Sequence, residues 1–460
     1  MSRVLVITSD YVQKRMAGPA IRAVELSRQL NAAGHDVTLA IPNETDLDPE
    51  PFQMARYDYD ILSGLVRGQD VVLFQGWALE SFPFLRDSVA RLVVDLYGPF
   101  LLELLVTRQH DPHPDRLADP AGTLLVTNEQ IRRGDYFICA SEKQRDYWLG
   151  LLTALNRVNP ETFDADPSLR SLVDVVPFGL PEESPKKRAP AIRGVIPGIG
   201  RNDFVLLWGS AIYNWFDPLT LIDAVAVAAR KNPRLRLVVM ATSHPNPHVA
   251  QQTVERLAIE KARRLGLLDK HVFFNEGWVP YERRMDWLLE SDVGVSINRE
   301  HLEARFSFRT RFLDYFWAGL PVLCTAGDTL ADSVESEGLG VTVPPGDCDQ
   351  LVTAIERLAD ADVRRSCSEA VARFRSRLTW REVARPLVRY CDNPRRAPDL
   401  AALPVGERRA VPLRDPDPRR ARQDWRHLTL RAVEAGLYEG PWRLLEKSSG
   451  YVRRRIRHSA

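Results

Sequence analysis

Phe306-Ser-Phe-Arg-Thr-Arg-Phe-Leu-Asp-Tyr-Phe-Trp-Ala-Gly-Leu-Pro321 is the stretch whose reading decides the fold. Ser307, Arg309, Thr310 and Arg311 form a polar approach. An apolar helix then runs from about Thr310 to Ala318. Gly319 and Pro321 stop it, the usual punctuation of a helix end. Pro321-Val-Leu-Cys324 follows at once as a short apolar run of the buried-strand kind. Polar loop, helix, glycine stop and buried strand make one unit of a parallel α/β sheet.

The same alternation extends in both directions. Upstream in this half, strands are expected at Phe204–Trp208, Leu235–Met240, His271–Phe274 and Val293–Ile297, with helices at 219–229, 251–265 and 281–290. Helices at 349–360 and 362–378 follow. The first half begins with Val4–Ile7, a Gly18-Pro19 loop, a helix carrying Ile21, Val24, Leu26 and Leu30, and the strand Val37–Ile41. Further strands are expected at 70–74, 91–95, 136–139 and 172–176. Pro181 to Gly200 is rich in Pro, Gly and charge, as linkers are. The expected fold is therefore α/β, two doubly wound domains facing a central cleft. The boundaries are 1–183, a linker 184–200, a second domain 201–380, a crossover helix 381–392 and a basic tail 393–460.

Bulk composition narrows the function. The chain has 460 residues and a net charge of +1, so no global field favours nucleic acid. Charge is uneven, however: Arg395 to Arg457 holds sixteen Lys/Arg against eight Asp/Glu. That tail reads either as a solvated irregular segment or as a peripheral contact with phosphates or an anionic membrane. Apolar residues among its arginines, such as Trp442, Leu445 and Ile456, fit an interfacial helix or packing across the domains. The five cysteines are scattered without a C-x-x-C pair, which argues against a disulfide framework or structural zinc. Neither a signal peptide nor a run of about 20 apolar residues is present, so a cytoplasmic location is expected.

Two sheets, a cleft and no metal motif suit nucleotide-sugar chemistry. A departing diphosphate needs cations and oriented N–H groups where its charge develops. Arg309 and Arg311 at the start of a helix supply them, with Ser307 and Thr310 adding hydroxyls, and Asp314 could accept two ribose hydroxyls. Two arginines ahead of a helix are also what a solvated ion-pair network looks like.

Six segments in order resemble the retaining, family-four (group 1) glycosyltransferases, across most of residues 1–390. They are Gly18-Pro-Ala-Ile-Arg22 with its helix, Cys139-Ala-Ser-Glu-Lys-Gln-Arg145, Val176-Pro-Phe-Gly179, Asn275-Glu-Gly-Trp-Val279, Leu313-Asp-Tyr-Phe-Trp-Ala-Gly-Leu-Pro-Val322, and Trp380-Arg-Glu-Val-Ala384. Asp95-Leu-Tyr-Gly-Pro-Phe100 and Phe306–Arg311 resemble a divergent bacterial branch of surface-polysaccharide enzymes. The resemblance implies a GT-B fold of two Rossmann-like domains, a nucleotide-sugar donor as substrate, no cofactor and no metal. It also implies that the leaving phosphate helps deprotonate the acceptor. The family's paired glutamates fall on Phe306 and Asp314, so the first is missing; Glu303 is the nearest substitute. Its diphosphate-gripping Arg falls on Ser210 after Gly209, and its Lys is absent, which leaves the diphosphate to Arg309 and Arg311. Gly277, Trp278 and Val279 are expected to frame the base.

Other candidates each carry a plainer alternative. Gly18 and Pro19 allow close approach to the donor, or form an ordinary strand-to-helix turn. Asp95 orients a hydroxyl, or caps. His244 meets the donor, or is a hydrogen-bonded loop residue. Trp215 stacks on a sugar, whereas Trp208, Trp278 and Trp317 read as core. His110 and His113 lack further ligands and read as surface. The expected function is retaining sugar transfer to a hydroxyl of a glycan, lipid-linked saccharide or small molecule, in polysaccharide or glycoconjugate synthesis. The alternatives are a nucleotide-sugar 2-epimerase and a non-catalytic nucleotide-sugar-binding subunit.

Overall fold

The computed structural model describes residues 1–402 apart from Arg15, 108–112, 242–252, Glu276, Trp278 and 281–282, and without the side chains of 113–119 and Ala402. The described residues belong to one compact unit, Met1–Leu403; Pro404–Ala460 is a second unit outside them. His110, His244, Trp278 and the tail's amphipathic segments therefore lie outside the described residues, as does the side chain of His113.

Two all-parallel sheets organise the chain. In the first lobe β1 (Arg3–Ile7), β2 (Asp36–Ile41), β3 (Gln53–Arg56), β4 (Val71–Gln75), β5 (Arg91–Asp95), β6 (Tyr136–Cys139) and β7 (Val173–Val175) lie in the order β3-β2-β1-β4-β5-β6-β7. In the second, β8 (Phe204–Trp208), β9 (Leu235–Val239), β10 (Val272–Phe274), β11 (Val293–Ser296), β12 (Val322–Thr325) and β13 (Gly340–Val343) lie in the order β10-β9-β8-β11-β12-β13. Each sheet reverses winding beside its first strand. That reversal opens a crevice at the carboxyl ends of β1 and β4, and another at those of β8 and β11.

The near-continuous apolar runs arise because both faces are covered. Leu206 and Trp208 point toward the Pro218–Lys231 helix, while Val205 and Leu207 meet Phe312, Tyr315 and Phe316 of the Arg311–Ala318 helix. Each such fully buried side chain contributes about 1.5–3 kcal/mol. β3 and β13 were not anticipated. Both are edge strands whose residues are mostly half-exposed, so neither needs an apolar run.

The segment 181–200 is a strap on the second lobe. Asp286 Oδ1 accepts from Arg188 N (2.6 Å) and Ala189 N (3.1 Å). Glu290 Oε2 accepts from the amides of Ala191, Ile192 and Arg193 at 2.6–3.1 Å. Ile192 and Ile199 enter the core. The chain passes between lobes twice at one place. Leu180 N donates to Leu378 O (2.7 Å) and Trp380 N to Leu180 O (3.0 Å). A side chain at Gly179 would meet Trp380 Cα at 2.7 Å, so the crossing needs glycine there. The following helices, Trp380–Val383 and Arg385–Asp392, pack Trp380, Val383 and Leu387 on the first lobe.

The expectation that the chain turns irregular at 393 is corrected over its first ten residues. Arg396 pairs with Asp135 (2.9 Å), Asp399 pairs with buried Arg157 (2.5 Å), and Pro398–Ala402 is helical. Paired buried charges hold this stretch where its composition alone suggested a loop. Among the described residues no helix is long and apolar enough to cross a membrane.

Tyr315 joins the second lobe's elements at the crevice. Its hydroxyl donates to Val295 O (2.8 Å), with Leu207 O at 3.2 Å, and accepts from Gly209 N–H (2.9 Å). Its ring lies so close to β11 that a Cβ at Gly294 would be 2.3 Å away. Tyr315→Phe leaves a buried donor and acceptor unsatisfied, and should cost about 1–3 kcal/mol. A lowered urea midpoint with an unchanged m-value checks this.

Candidate active site

The crevice of the second lobe collects the main sequence candidates. Arg311 opens the Arg311–Ala318 helix and turns its guanidinium over the Phe216 ring (4.4 Å to the centroid), with Trp208 at 5.8 Å. It makes no hydrogen bond or ion pair among the described residues, and its Nε is buried without a partner. Burial pulls its pKa down to about 10, and the charge of Arg309 adds to that. It stays a cation at neutral pH in a place that disfavours one.

Arg309 is half engaged. Its Nε donates to Asp328 Oδ2 (3.2 Å), while its Nη2 lies 4.0 Å from Glu303 and has no hydrogen-bond partner. Asp328 is held in turn, because its Oδ1 caps the Thr329–Ser336 helix by accepting from Leu330 N and Ala331 N. One edge of the guanidinium is thus fixed and the other left available.

Glu303 lies in the short Leu302–Phe306 helix, which packs on the Phe100–Thr107 and Glu142–Ala154 helices of the first lobe. Burial raises its carboxyl pKa, with Glu103 and Asp328 adding and Arg309 opposing. His301 caps that helix; its Nδ1 accepts from Ala304 N (3.2 Å), so the ring proton sits on Nε2, which is buried without a partner. Burial, with help from Arg309, lowers the His301 pKa to about 4. Asn298 Oδ1, Ser296 Oγ and Thr329 Oγ1 are also buried and unpartnered. Such atoms are few in native proteins, and each calls for a partner that the described side chains do not supply.

Asp314 lies in the first helical turn, one residue ahead of Tyr315, 3.1 Å from Arg284. Burial raises its carboxyl, against Arg284 and Arg311. It does not cap the helix; Thr310 holds the N-cap place, exposed and without a side-chain cap bond. Ser307 Oγ is turned back onto Ala304 O (3.0 Å). At the end of β8, the Gly209 amide is taken by Tyr315 and Ser210 Oγ by Ala211 O (2.7 Å). Gly277 has a left-handed φ of 118°, whereas Val279 is buried in the core. Trp208 is also core, Trp215 stacks on Tyr213 (4.7 Å), and Trp317 Nε1 donates to Glu183 O (2.7 Å).

Phe306, at the place of the missing glutamate, closes the lobes instead. Its carbonyl accepts from Gln144 Nε2 (2.9 Å) and its ring meets Tyr147 (5.3 Å). Beside it Lys143 pairs with Asp332 (2.5 Å) and donates to Gly327 O (2.9 Å).

The first lobe's crevice is a cavity of about 400 Å³ with Thr8, Pro19, Gln75, Asp95, Glu103 and Gln130 in its wall. Pro19 follows Gly18 at the start of the Gly18–Ala32 helix. Asp95 is in the wall, yet both its oxygens are held by buried Arg22, at 2.6 and 3.1 Å. Arg22 also donates to Val176 O and Pro177 O, tying β5 to the chain beyond β7. Asp95 thus shapes the cavity through a salt bridge rather than presenting a free carboxylate.

Residues that sequence reasoning missed are Asp328, His301, Arg284 and Tyr315. Asp328-Thr-Leu carries a helix-capping pattern, a usable local signal, whereas His301 is not among the usual capping residues and gave none. The roles of Arg284 and Tyr315 depend on partners far away in sequence.

Residues 203–361 match the family described as Glycosyl transferases group 1. That match spans most of the second lobe, from the start of β8 onward. The fold of the chain is GT-B, as solved relatives of that shape indicate. Sucrose-phosphate synthase from Thermosynechococcus elongatus is 17% identical with a TM-score of 0.57, over 85% of this chain and 98% of that one. WaaG, a glycosyltransferase involved in lipopolysaccharide biosynthesis, is 16% identical with a TM-score of 0.56, over 85% and 100%. HepE of Anabaena, solved with UDP-glucose, is 14% identical with a TM-score of 0.57, over 85% and 100%. At these identities the likeness is one of fold. No curated protein matches the sequence.

Two outcomes are expected. Asp95→Ala strands a buried guanidinium and should cost about 3–5 kcal/mol, whereas Arg22→Met with Asp95→Leu recovers most of it. Denaturant unfolding of both variants checks this. For His301, the unfolded imidazole takes up its proton near pH 6.5 and the folded one only near 4. The unfolded state therefore binds more protons in that window, and stability falls as pH drops through it, by on the order of 3 kcal/mol. His301→Gln should remove this loss. Glu303, 3.4 Å from His301 Nδ1, has a raised carboxyl that acts in the opposite sense, so the Glu303→Gln and double-variant curves are measured alongside to separate the two.

Proposed function

We propose that the chain transfers a sugar from a nucleotide-sugar donor to a hydroxyl acceptor, with retention of configuration and without a metal or cofactor. The observation that carries this reading is the set of buried, unpartnered polar atoms around Arg311 Nε, Arg309 Nη2 and His301 Nε2 in the second lobe's crevice. Two cations and an N–H donor converge where a leaving diphosphate would gain charge. Groups already desolvated and held by Phe216 and Asp328 need little reorganisation during reaction.

Arg309 and Arg311 stabilise the departing diphosphate. Asp314, steadied by Arg284, accepts the ribose hydroxyls. Gly277, with its left-handed φ, lets the backbone approach the base. Glu303, its carboxyl raised and facing the first lobe, is the group nearest in kind to the family's missing glutamate. UDP-glucose bound by the HepE protein and glycosyl transfer by the group 1 family support a nucleotide-sugar substrate. The acceptor enters through the first lobe's cavity, whose wall includes Glu103, close enough to Glu303 to raise its pKa. The biological setting we infer is glycoconjugate or surface-polysaccharide synthesis in the cytoplasm, with the basic tail available to an anionic membrane.

Arg311 supplies the test. Arg311→Met keeps the apolar stem over Phe216 and removes an unpaired buried charge. It should lower kcat/KM for the donor by roughly 10²-fold or more while leaving the melting temperature unchanged or higher. Turnover within a few-fold of the unaltered enzyme would overturn the assignment. Melting temperatures with UDP, GDP, TDP and ADP identify the base, since a ligand of the native state raises them.

A further inference from the structure

The first lobe's cavity carries its own chemistry. Its floor and sides are apolar: Ile7, Phe74, Leu96 and Trp148 from the strand ends and the Glu142–Ala154 helix, and Leu104 and Val126 from the two helices that cover it. At about 400 Å³ it is of small-molecule size. Further apolar side chains are exposed on the elements that line it. Leu105 (43% exposed), Leu124 (40%) and Leu125 (43%) lie on the same two helices, Phe100–Thr107 and His113–Arg133, and Trp77 is 48% exposed.

Its charges are one-sided. Asp10, Asp95 and Glu103 line it against Arg22, the one cation in the lining among the described residues. Asp95 occupies the Arg22 charge through both oxygens. Glu103 lies at the open edge of the wall, and partial desolvation against the apolar lining raises its carboxyl. Among the described residues, a phosphate or carboxylate placed here would face Asp10 and Glu103 and find no free counter-charge for the water it gives up.

We propose, resting on the transferase reading above, that the acceptor is an uncharged hydroxyl compound with an apolar body, of the alkyl-glycoside class. Its apolar part lies against Leu104, Val126 and Trp148 and continues toward Leu105 and Leu124. Anionic sugar phosphates are excluded by the charge of the wall. Thr8, Gln75 and Gln130 offer hydrogen bonds to hydroxyls along one side.

The test is calorimetric titration of the full chain with octyl β-D-glucoside below its micelle concentration, glucose, and glucose 6-phosphate. Octyl glucoside should bind at least ~10-fold more tightly than either of the others. Leu104→Asp, at a half-exposed position, should weaken it by roughly 10-fold or more. Glu103→Lys, at an exposed one, should strengthen glucose 6-phosphate by about 10-fold. Tighter binding of glucose 6-phosphate by the unaltered chain would overturn the proposal. So would octyl glucoside binding that survives both Leu104→Asp and Val126→Asp, since it would then lie elsewhere. UDP titrated in parallel separates the two readings. Octyl glucoside binding without nucleoside diphosphate binding sinks the donor reading alone. UDP binding with a preference for glucose 6-phosphate sinks this one alone.

Discussion

One phenol oxygen holds the second lobe's crevice in shape. Tyr315 OH lies between the ends of β8 and β11, where the sheet reverses its winding, and bonds to both strands. The constraint is mutual. Gly209 and Gly294 must be glycine because the Tyr315 ring lies where a Cβ would be. The ring in turn fixes the rotation of the Arg311–Ala318 helix about its axis. Arg311, one helical turn earlier, is thereby directed over Phe216, and Asp314 toward Arg284. Interiors packed this closely transmit position over a turn of helix with little slack.

The arginines of the second lobe's crevice are treated differently from the buried arginines of the first lobe. In the first, Arg22 with Asp95, Arg157 with Asp399 and Arg396 with Asp135 are matched pairs, and they define wall, edge and tail. In the second, Arg311 has no partner among the described residues and Arg309 has half of one. A matched pair stabilises a unique arrangement. An unmatched one costs stability and is retained where something else must bind. That contrast separates scaffold arginines from candidate functional ones, although all look alike in sequence. Lobe closure adds a third use of charge, with Lys143 and Gln144 reaching across to Gly327, Asp332 and Phe306.

Much of the architecture was legible in the chain. Central parallel strands are covered on both faces, so they must be continuously apolar, and those such as Phe204–Trp208 stand out. Edge strands escape that rule, which is why Gln53–Arg56 and Gly340–Val343 were silent. The helix stop at Gly319-Leu-Pro321 was readable because its cause is local: a left-handed C-cap, φ 74°, that glycine tolerates. The tail's first turn was not, since the partners of Arg396 and Asp399 lie more than 200 residues away.

The sequence by itself determined the α/β alternation, the two-lobe plan and the residue types gathered before the Arg311–Ala318 helix, because periodicity and capping are short-range properties. Which arginine is matched and which is unmatched among the described residues was decided by tertiary structure alone. Asp95 read as orienting a hydroxyl or capping and is bound by Arg22; Arg311 read as one of two equals and is the one unpaired among the described residues. Pairing depends on which distant side chain shares the same dry volume, and spacing along the chain carries no record of that.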